Sequence, residues 1–179
     1  QIGEDTTIDD IFDGGGSFSV WFYCIPASPS SYSGVPGGQN KIGTLISKGR
    51  FANSNAAGWR LYAFDYAADG GNFSLEMQGF RSTGTDSNVW KSDVVFAYNT
   101  WHHVIVTYNS DATTNDPILY KNGAAITFAQ DAADISGDRK SESAHPLLIG
   151  NQAGIAITTG ISNIAIGSDA LKAQVGGTK

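Results

Sequence analysis

Cysteine is almost absent from this chain, because Cys24 is the only one among 179 residues. A single cysteine excludes an internal disulfide and a zinc site built from cysteines. Cys24 ends an apolar run, so we expect it to be a small buried hydrophobic residue. A lone cysteine neither requires nor excludes an extracellular setting.

Charge is also scarce, since only 16% of the residues are charged and acids outnumber bases to give a formal net charge of -6. No basic run offers a counter-charge to phosphates, which argues against nucleic acid as a partner. No run approaches the ~18 apolar residues of a membrane span, so we expect no membrane insertion, and no signal peptide is visible. The chain begins at Gln1 rather than Met, which fits a processed product or an excerpt of a longer polypeptide.

Glycine, by contrast, is abundant, with 22 residues, and it separates runs of β-branched and aromatic residues. The strongest run is residues 99–108, Asn-Thr-Trp-His-His-Val-Ile-Val-Thr-Tyr. It has no helical stripe, and its composition predicts a central strand buried on both faces. Val104, Val106 and Tyr108 would face one way, and Ile105 and Thr107 the other.

Alternation predicts further strands. Residues 17–24 place Phe18, Val20 and Phe22 on one face and Ser17, Ser19, Trp21 and Tyr23 on the other. A face that carries Trp and Tyr is either covered by a loop or used for binding. Residues 73–78 alternate strictly, so we expect Phe73, Leu75 and Met77 in a core and Ser74, Glu76 and Gln78 in solvent.

Turn signals complete the reading of the chain. Asn122-Gly123 lies between β-prone residues and predicts a hairpin with a type I′ turn. Trp90 is expected in a polar loop, after which residues 93–98 lead into the central strand. At this length one sandwich domain, alone or with a small extension, buries a full core.

Several motifs follow one another in the order and spacing of a known family. They are Gly-Gly-Gly-Ser-Phe-Ser-Val-Trp-Phe (14–22), Leu-Ile-Ser-Lys-Gly (45–49), Trp-Arg-Leu-Tyr (59–62), Trp-His-His-Val-Ile-Val-Thr-Tyr (101–108), Leu-Tyr-Lys-Asn-Gly (119–123) and Leu-Leu-Ile-Gly-Asn (147–151). In this, residues 1–151 resemble laminin-G-like, concanavalin A-like lectin domains. The resemblance implies an all-β fold, a jelly-roll β-sandwich of two antiparallel sheets.

The C-terminal segment, residues 152–179, departs from that family's usual last strand. Ile-Gly-x-x-Ala recurs at 149 and 166, and the segment resembles repeats of phage tail-fibre shafts and trimeric autotransporter adhesin heads. Such repeats imply stacking on further repeats, trimerisation or docking on the sandwich. Alternatively, residues 155–157 and 164–166 supply the last strands of the sandwich, and both readings are compatible.

Enzymatic motifs are missing, so we do not expect an enzyme. The glutamates are Glu4, Glu76 and Glu142, the glucanase pattern Glu-x-Asp-x-x-Glu is absent, and Glu76 has no acidic residue two or four positions away. We therefore expect Glu76 to be a solvated strand residue. The resemblance makes His102 and His103 structural.

Calcium is the cofactor that the loops favour, because hard cations take oxygen ligands. Asp111, Asn115 and Asp116 offer one such set, and Asp131, Asp134 and Asp138 a second. The resemblance also implies calcium at a loop rim. The alternative is that these acidic loops are merely solvated.

Sugar binding requires an aromatic platform beside hydrogen-bonding groups. The residues that best fit this requirement are Trp59, Arg60, Tyr62 and Trp90, with Trp21 and Tyr23 as a second choice. The alternative for each ring is that it packs between a sheet and a loop.

Together these features predict a non-enzymatic binding or adhesion module, extracellular or on a virion surface, in a phage or other microbial surface structure. Its expected partners are a glycan or cell-surface polysaccharide, together with a homotrimer or neighbouring subunits of the virion or fibre. One competing hypothesis is a purely structural capsid-decoration or fibre subunit. Another is a carbohydrate-active enzyme with an atypical site.

Overall fold

A computed structural model of the chain describes residues 11–25, 40–50, 57–65, 72–80, 87–130, 147–149 and 164–166. These residues form strands and turns, so the all-β class is confirmed for them. Within those ranges no helix is long and apolar enough to cross a membrane. The strands are β1 (Gly16–Tyr23), β2 (Asn40–Arg50), β3 (Ala57–Asp65), β4 (Asn72–Phe80), β5 (Ser87–Ser92), β6 (Phe96–Ala97), β7 (Trp101–Tyr108), β8 (Ile118–Lys121), β9 (Ala124–Ile126), β10 (Phe128–Gln130), β11 (Leu147–Ile149) and β12 (Ile164–Ile166).

The strands form two sheets. The four-stranded sheet has the order β1-β7-β8-β9 and is antiparallel throughout. The larger sheet has the order β10-β5-β4-β3-β2-β11-β12, and β6 pairs with the beginning of β4. Two antiparallel sheets were predicted, and the one difference is β12, which pairs in parallel with β11.

The pairing of β12 places part of the C-terminal segment on the larger sheet. Its register sets Leu147 opposite Ile164 and Ile149 opposite Ile166. β11 in turn pairs with β2. Residues 155–157 lie outside the described residues, and the two alternatives for residues 152–179, completion of the sandwich or assembly into a fibre, stay predictions.

The core lies between the two sheets and draws apolar side chains from both. From the four-stranded sheet come Phe22, Val104, Val106 and Leu119, and from the larger sheet Trp59, Leu61, Leu75, Met77 and Trp90. Cys24 is buried beside them, as predicted. Phe12, in the turn before β1, also joins this core. The turn lies so close to β1 that a Cβ atom on Gly16 would be only 1.9 Å from the Ile11 carbonyl oxygen. The core therefore closes over the start of β1 as well.

The strand β7 is an interior strand, as predicted, but only one of its faces is buried. Val104 and Val106 are fully buried, whereas Trp101 on the opposite face is 61% exposed. The prediction of burial on both faces was wrong, because the apolar composition of a strand does not report what lies against its second face.

Trp90 lies in the strand β5 rather than in a loop. The strand pairs with β4 on one side and β10 on the other. Polar neighbours such as Asn88 and Lys91 hide the alternation in this short segment, so cross-strand pairing rather than local pattern defines it.

Asparagines hold both of the non-glycine positive backbone angles in the described residues. Asn122 and Gly123 have φ of 49° and 86°, as a type I′ turn between β8 and β9 requires, so that prediction is confirmed. Asn99, with φ of 56°, donates its N–H to the Cys24 carbonyl oxygen and turns the chain into β7.

Candidate functional site

Exposed rings are concentrated on the outer surface of the four-stranded sheet. Trp21 is 63% exposed, Trp101 is 61% and Tyr23 is 44%. Strand alternation directs these side chains away from the core, and the β1–β7 register sets Trp21 opposite His103 and Tyr23 opposite Trp101. We call Ser19, Trp21, Tyr23, Trp101 and His103 the aromatic face.

Contacts between neighbouring strands fix the orientation of these rings. The Trp21 and His103 rings stack, with centroids 4.8 Å apart and planes inclined by 23°. The Tyr23 and Trp101 centroids are 5.6 Å apart. His103 Nε2 and Ser19 Oγ share a hydrogen bond of 2.7 Å. The aromatic face thus presents positioned rings beside a hydroxyl and an imidazole.

This outer surface carries no lysine, arginine or carboxylate at the outward-facing strand positions of the described residues. Lys121 points inward, where its Nζ donates to the Val95 carbonyl oxygen at 2.6 Å and lies 5.1 Å from the centre of the Phe96 ring. A ligand of the aromatic face therefore meets uncharged groups and one histidine.

A shallow pocket of about 560 Å³ lies at the other end of the same sheet. Thr107 and Ile118, which pair across β7 and β8, line it, as do Asn109, Asn115 and Asp116. Because Thr107 and Ile118 are outward-facing, the pocket continues the outer surface of the sheet.

Two of the proposed calcium ligands Asp111, Asn115 and Asp116 have carboxylate oxygens that accept hydrogen bonds within the protein. Asp111 Oδ1 accepts the Gly14 N–H at 2.8 Å, and Asp116 Oδ1 accepts the Trp90 indole N–H at 2.7 Å. Asn115 and Asp116 line the pocket, and Asp111 does not. No group of three or more His, Cys, Asp or Glu arranged for a metal occurs in the part of the chain that the structure describes. Calcium stays a prediction here, and Asp131, Asp134 and Asp138 lie outside the described residues.

The four residues first chosen for sugar binding do not share a surface. Trp59 and Trp90 are 3% and 0% exposed and belong to the core, where the Trp59 ring stacks on Phe18 at 5.1 Å. Arg60 and Tyr62 lie on the opposite face of β3, because successive strand residues alternate. The selected residues between 59 and 62 are therefore divided between the two faces of β3. The two tryptophans are buried and present no ring face on which a ligand could stack.

Arg60 and Tyr62 instead belong to what we call the buried polar cluster, which also contains Glu76 and Gln78, on the outer face of the larger sheet. The Tyr62 hydroxyl donates to a Glu76 carboxylate oxygen, and Arg60 Nε donates to Gln78 Oε1 at 2.7 Å. The Arg60 guanidinium lies 4.8 Å from the centre of the Tyr62 ring. Burial lowers the pKa of Arg60, and the charges of Tyr62 and Glu76 act in the opposite direction.

The buried polar cluster overturns the expectation that this face of β4 is solvated. Glu76 and Ser74 are both buried, and the Ser74 hydroxyl donates to the Phe64 carbonyl oxygen at 3.1 Å. Alternation identified which residues share the face, but it carries no information on whether that face is covered.

Ser19, Trp101 and His103 are the members of the aromatic face that were not selected as binding residues from the sequence, and two of them, Trp101 and His103, lie on β7. His102 is a core residue that pairs with the Ala97 carbonyl oxygen at 2.9 Å, which fits a structural role, but His103 faces outward. The signal that would have found Trp101 and His103 is the period of two along β7, which puts them on one face.

No family model, curated protein or solved structure matches this chain.

Proposed function

We propose that this protein is a non-enzymatic binding module that recognises an uncharged glycan through the aromatic face. The observation that carries the proposal is the exposure of Trp21, Trp101 and Tyr23 on adjacent strands of one sheet. Large contiguous apolar patches on a protein surface commonly mark sites where a ligand or another protein binds.

The chemistry of the aromatic face suits sugars. The C–H faces of a pyranose pack on aromatic rings, and its hydroxyls require donors and acceptors at the edge of those rings. Ser19 and His103 supply such groups beside Trp21. Among the described residues, the outward strand positions of this sheet carry no lysine, arginine or carboxylate, which favours a neutral ligand over a phosphate or a sulfate.

We further propose the setting that the sequence resemblance implies. In this proposal the sandwich-like arrangement is a laminin-G-like, concanavalin A-like jelly roll, and the module serves adhesion on an extracellular or virion surface. Calcium at the loop rim, and a homotrimer or fibre neighbours joined through residues 152–179, belong to the same proposal.

A second candidate function is a structural one, in which the aromatic face joins this chain to a neighbouring subunit. The same exposed rings favour it, because subunit interfaces are enriched in tryptophan and tyrosine. Light scattering on the full chain separates the two functions: Trp101→Ala would convert an oligomer to a monomer only if the rings are an interface.

A glycan array tests the proposed function directly, with binding by wild type compared with Trp21→Ala and Trp101→Ala. Loss of a central ring should weaken binding by roughly tenfold or more. Val94→Ala is the matched control, because Val94 is an exposed apolar residue in the turn between β5 and β6 and is not a member of the aromatic face. Equal binding by all four proteins would contradict the proposal, as would turnover of any polysaccharide on the array.

A further inference from the structure

The aromatic face and the pocket are two ends of one outer surface. The outward-facing residues of β7 are, in order, Trp101, His103, Ile105 and Thr107, and Thr107 lines the pocket. At roughly 3.3 Å per residue, Trp101 and Thr107 are about 20 Å apart along the strand. A ligand that contacts both ends is therefore much longer than a single sugar ring.

The surface between the two ends is neutral. Ile105 lies opposite Ser19 on β1 and opposite Tyr120 on β8, and Ile105 and Tyr120 are half-buried. None of these three residues is an aspartate, glutamate, lysine, arginine or histidine. The middle of the surface thus offers a ring, a hydroxyl and an apolar side chain, which are the groups that a sugar chain also meets on the aromatic face.

The far end of the surface has a different chemistry from the aromatic face. Asn109, Asn115 and Asp116 border the pocket there, and they supply amide and carboxylate groups. The indole N–H of Trp90 holds one carboxylate oxygen of Asp116, which positions the side chain at the pocket. Hydrogen-bonding groups held in this way suit sugar hydroxyls that project from the end of a chain.

We infer that the ligand is an oligosaccharide chain, which stacks on the aromatic face at one end and hydrogen-bonds with Asn115 and Asp116 in the pocket at the other. This inference rests on the proposed function, since it takes the aromatic face to be a sugar site. It adds the class of glycan, a linear oligomer rather than a terminal single sugar, and it adds the second contact region.

The experiment is a glycan array that carries neutral glycans as matched length series, from single sugars to long oligomers. The proteins are wild type, Trp21→Ala, Asp116→Asn and the control Asp93→Asn. Asp116→Asn keeps an oxygen that accepts the Trp90 indole N–H, so the fold should persist, and thermal unfolding of each protein verifies this. Asp93 is an exposed aspartate in the turn between β5 and β6, and it does not line the pocket.

We expect wild-type affinity to increase with chain length. Asp116→Asn should lower affinity about fivefold for long oligomers and leave single sugars unchanged, because it weakens one hydrogen bond at the far end. Trp21→Ala should weaken binding at every length, and Asp93→Asn at none.

Two other outcomes are distinguishable. If Trp21→Ala weakens binding but affinity does not depend on length, or Asp116→Asn behaves as Asp93→Asn does, the glycan function stands and the inference of a chain ligand is overturned. If wild type binds no glycan on the array, the proposed function fails, and the inference that depends on it fails too.

Discussion

The outer surfaces of the two sheets differ in exposure and in chemistry. The aromatic face of the four-stranded sheet leaves Trp21 and Trp101 more than half exposed, while on the larger sheet Tyr62 and Glu76 are buried. The rings of the aromatic face contact one another and still leave accessible surface for a ligand. In the buried polar cluster, by contrast, the Tyr62 hydroxyl donates a hydrogen bond to the Glu76 carboxylate.

Residue type alone is therefore a poor guide to which face of a sheet is exposed to a ligand. The sequence suggested Arg60 and Tyr62 for sugar binding and a solvated position for Glu76, yet all three belong to the buried polar cluster. The face that carries Trp21 and Tyr23 was expected to be either covered by a loop or used for binding, and its rings are exposed. Substitutions in the two regions should therefore affect different properties, stability in one and binding in the other.

The largest expected effect is that of Trp59→Ala, which removes a core ring that stacks on Phe18 and meets Phe12 edge-on at 5.1 Å. We expect the free energy of unfolding to fall by about 3–5 kcal/mol, since truncation leaves a large cavity. Urea denaturation measures this change. Trp59→Phe keeps most of the ring contacts and should cost clearly less, and an Ala variant as stable as wild type would show that Trp59 is not a core residue.

The next largest effect should come from the buried polar cluster. Glu76→Ala removes the acceptor of the Tyr62 hydroxyl and leaves that group buried, so we expect a loss of about 2–3 kcal/mol in unfolding free energy. Glu76→Gln retains an acceptor and serves as the control, with a smaller loss. A solvated Glu76 would give changes near zero in both variants, and chemical denaturation tells the two situations apart.

Cys24 and Tyr23 show the same difference between a buried and an exposed position in adjacent residues, because Cys24 is buried directly after the half-exposed Tyr23. Burial raises the pKa of the Cys24 thiol from 9.0 to about 11. The folded chain therefore holds the thiol proton more tightly than the unfolded chain, and the contribution to stability is complete below pH 9 and lost as the pH rises towards 11. Unfolding free energies measured across this range should fall more steeply in wild type than in Cys24→Ala. Parallel pH profiles of the two proteins would contradict the burial of the thiol.

The smallest effect on stability is expected on the aromatic face. Trp21→Ala and Trp101→Ala should each change the unfolding free energy by no more than about 0.5 kcal/mol, as exposed substitutions do. Each variant should nevertheless remove part of the tryptophan fluorescence that acrylamide quenches, and the double variant most of it, because Trp59 and Trp90, the other two tryptophans, are buried. Unchanged quenching in both variants would place the accessible rings elsewhere.

Much of the fold could be predicted from the sequence, but less of the site. The alternation of residues 17–24 correctly placed Phe18 and Phe22 on one face and Trp21 and Tyr23 on the other. The strand β5 was missed because its polar residues obscure the pattern around Trp90. The first choice of site combined Trp59 and Trp90 with Arg60 and Tyr62 as a ring platform beside hydrogen-bonding groups. Adjacent residues of a strand, such as Trp59 and Arg60, lie on opposite faces.

The all-β class, the faces of β1 and β7, and the turn at Asn122-Gly123 could be predicted from the chain alone, because each of these follows from local sterics and a period of two. Which of these faces is buried and which is exposed became visible in the folded molecule. The tertiary structure brought Trp21 beside His103, and it connected Thr107 with the pocket at Asn115 and Asp116. The physical reason is that burial depends on what packs against a face, and those partners come from distant parts of the chain.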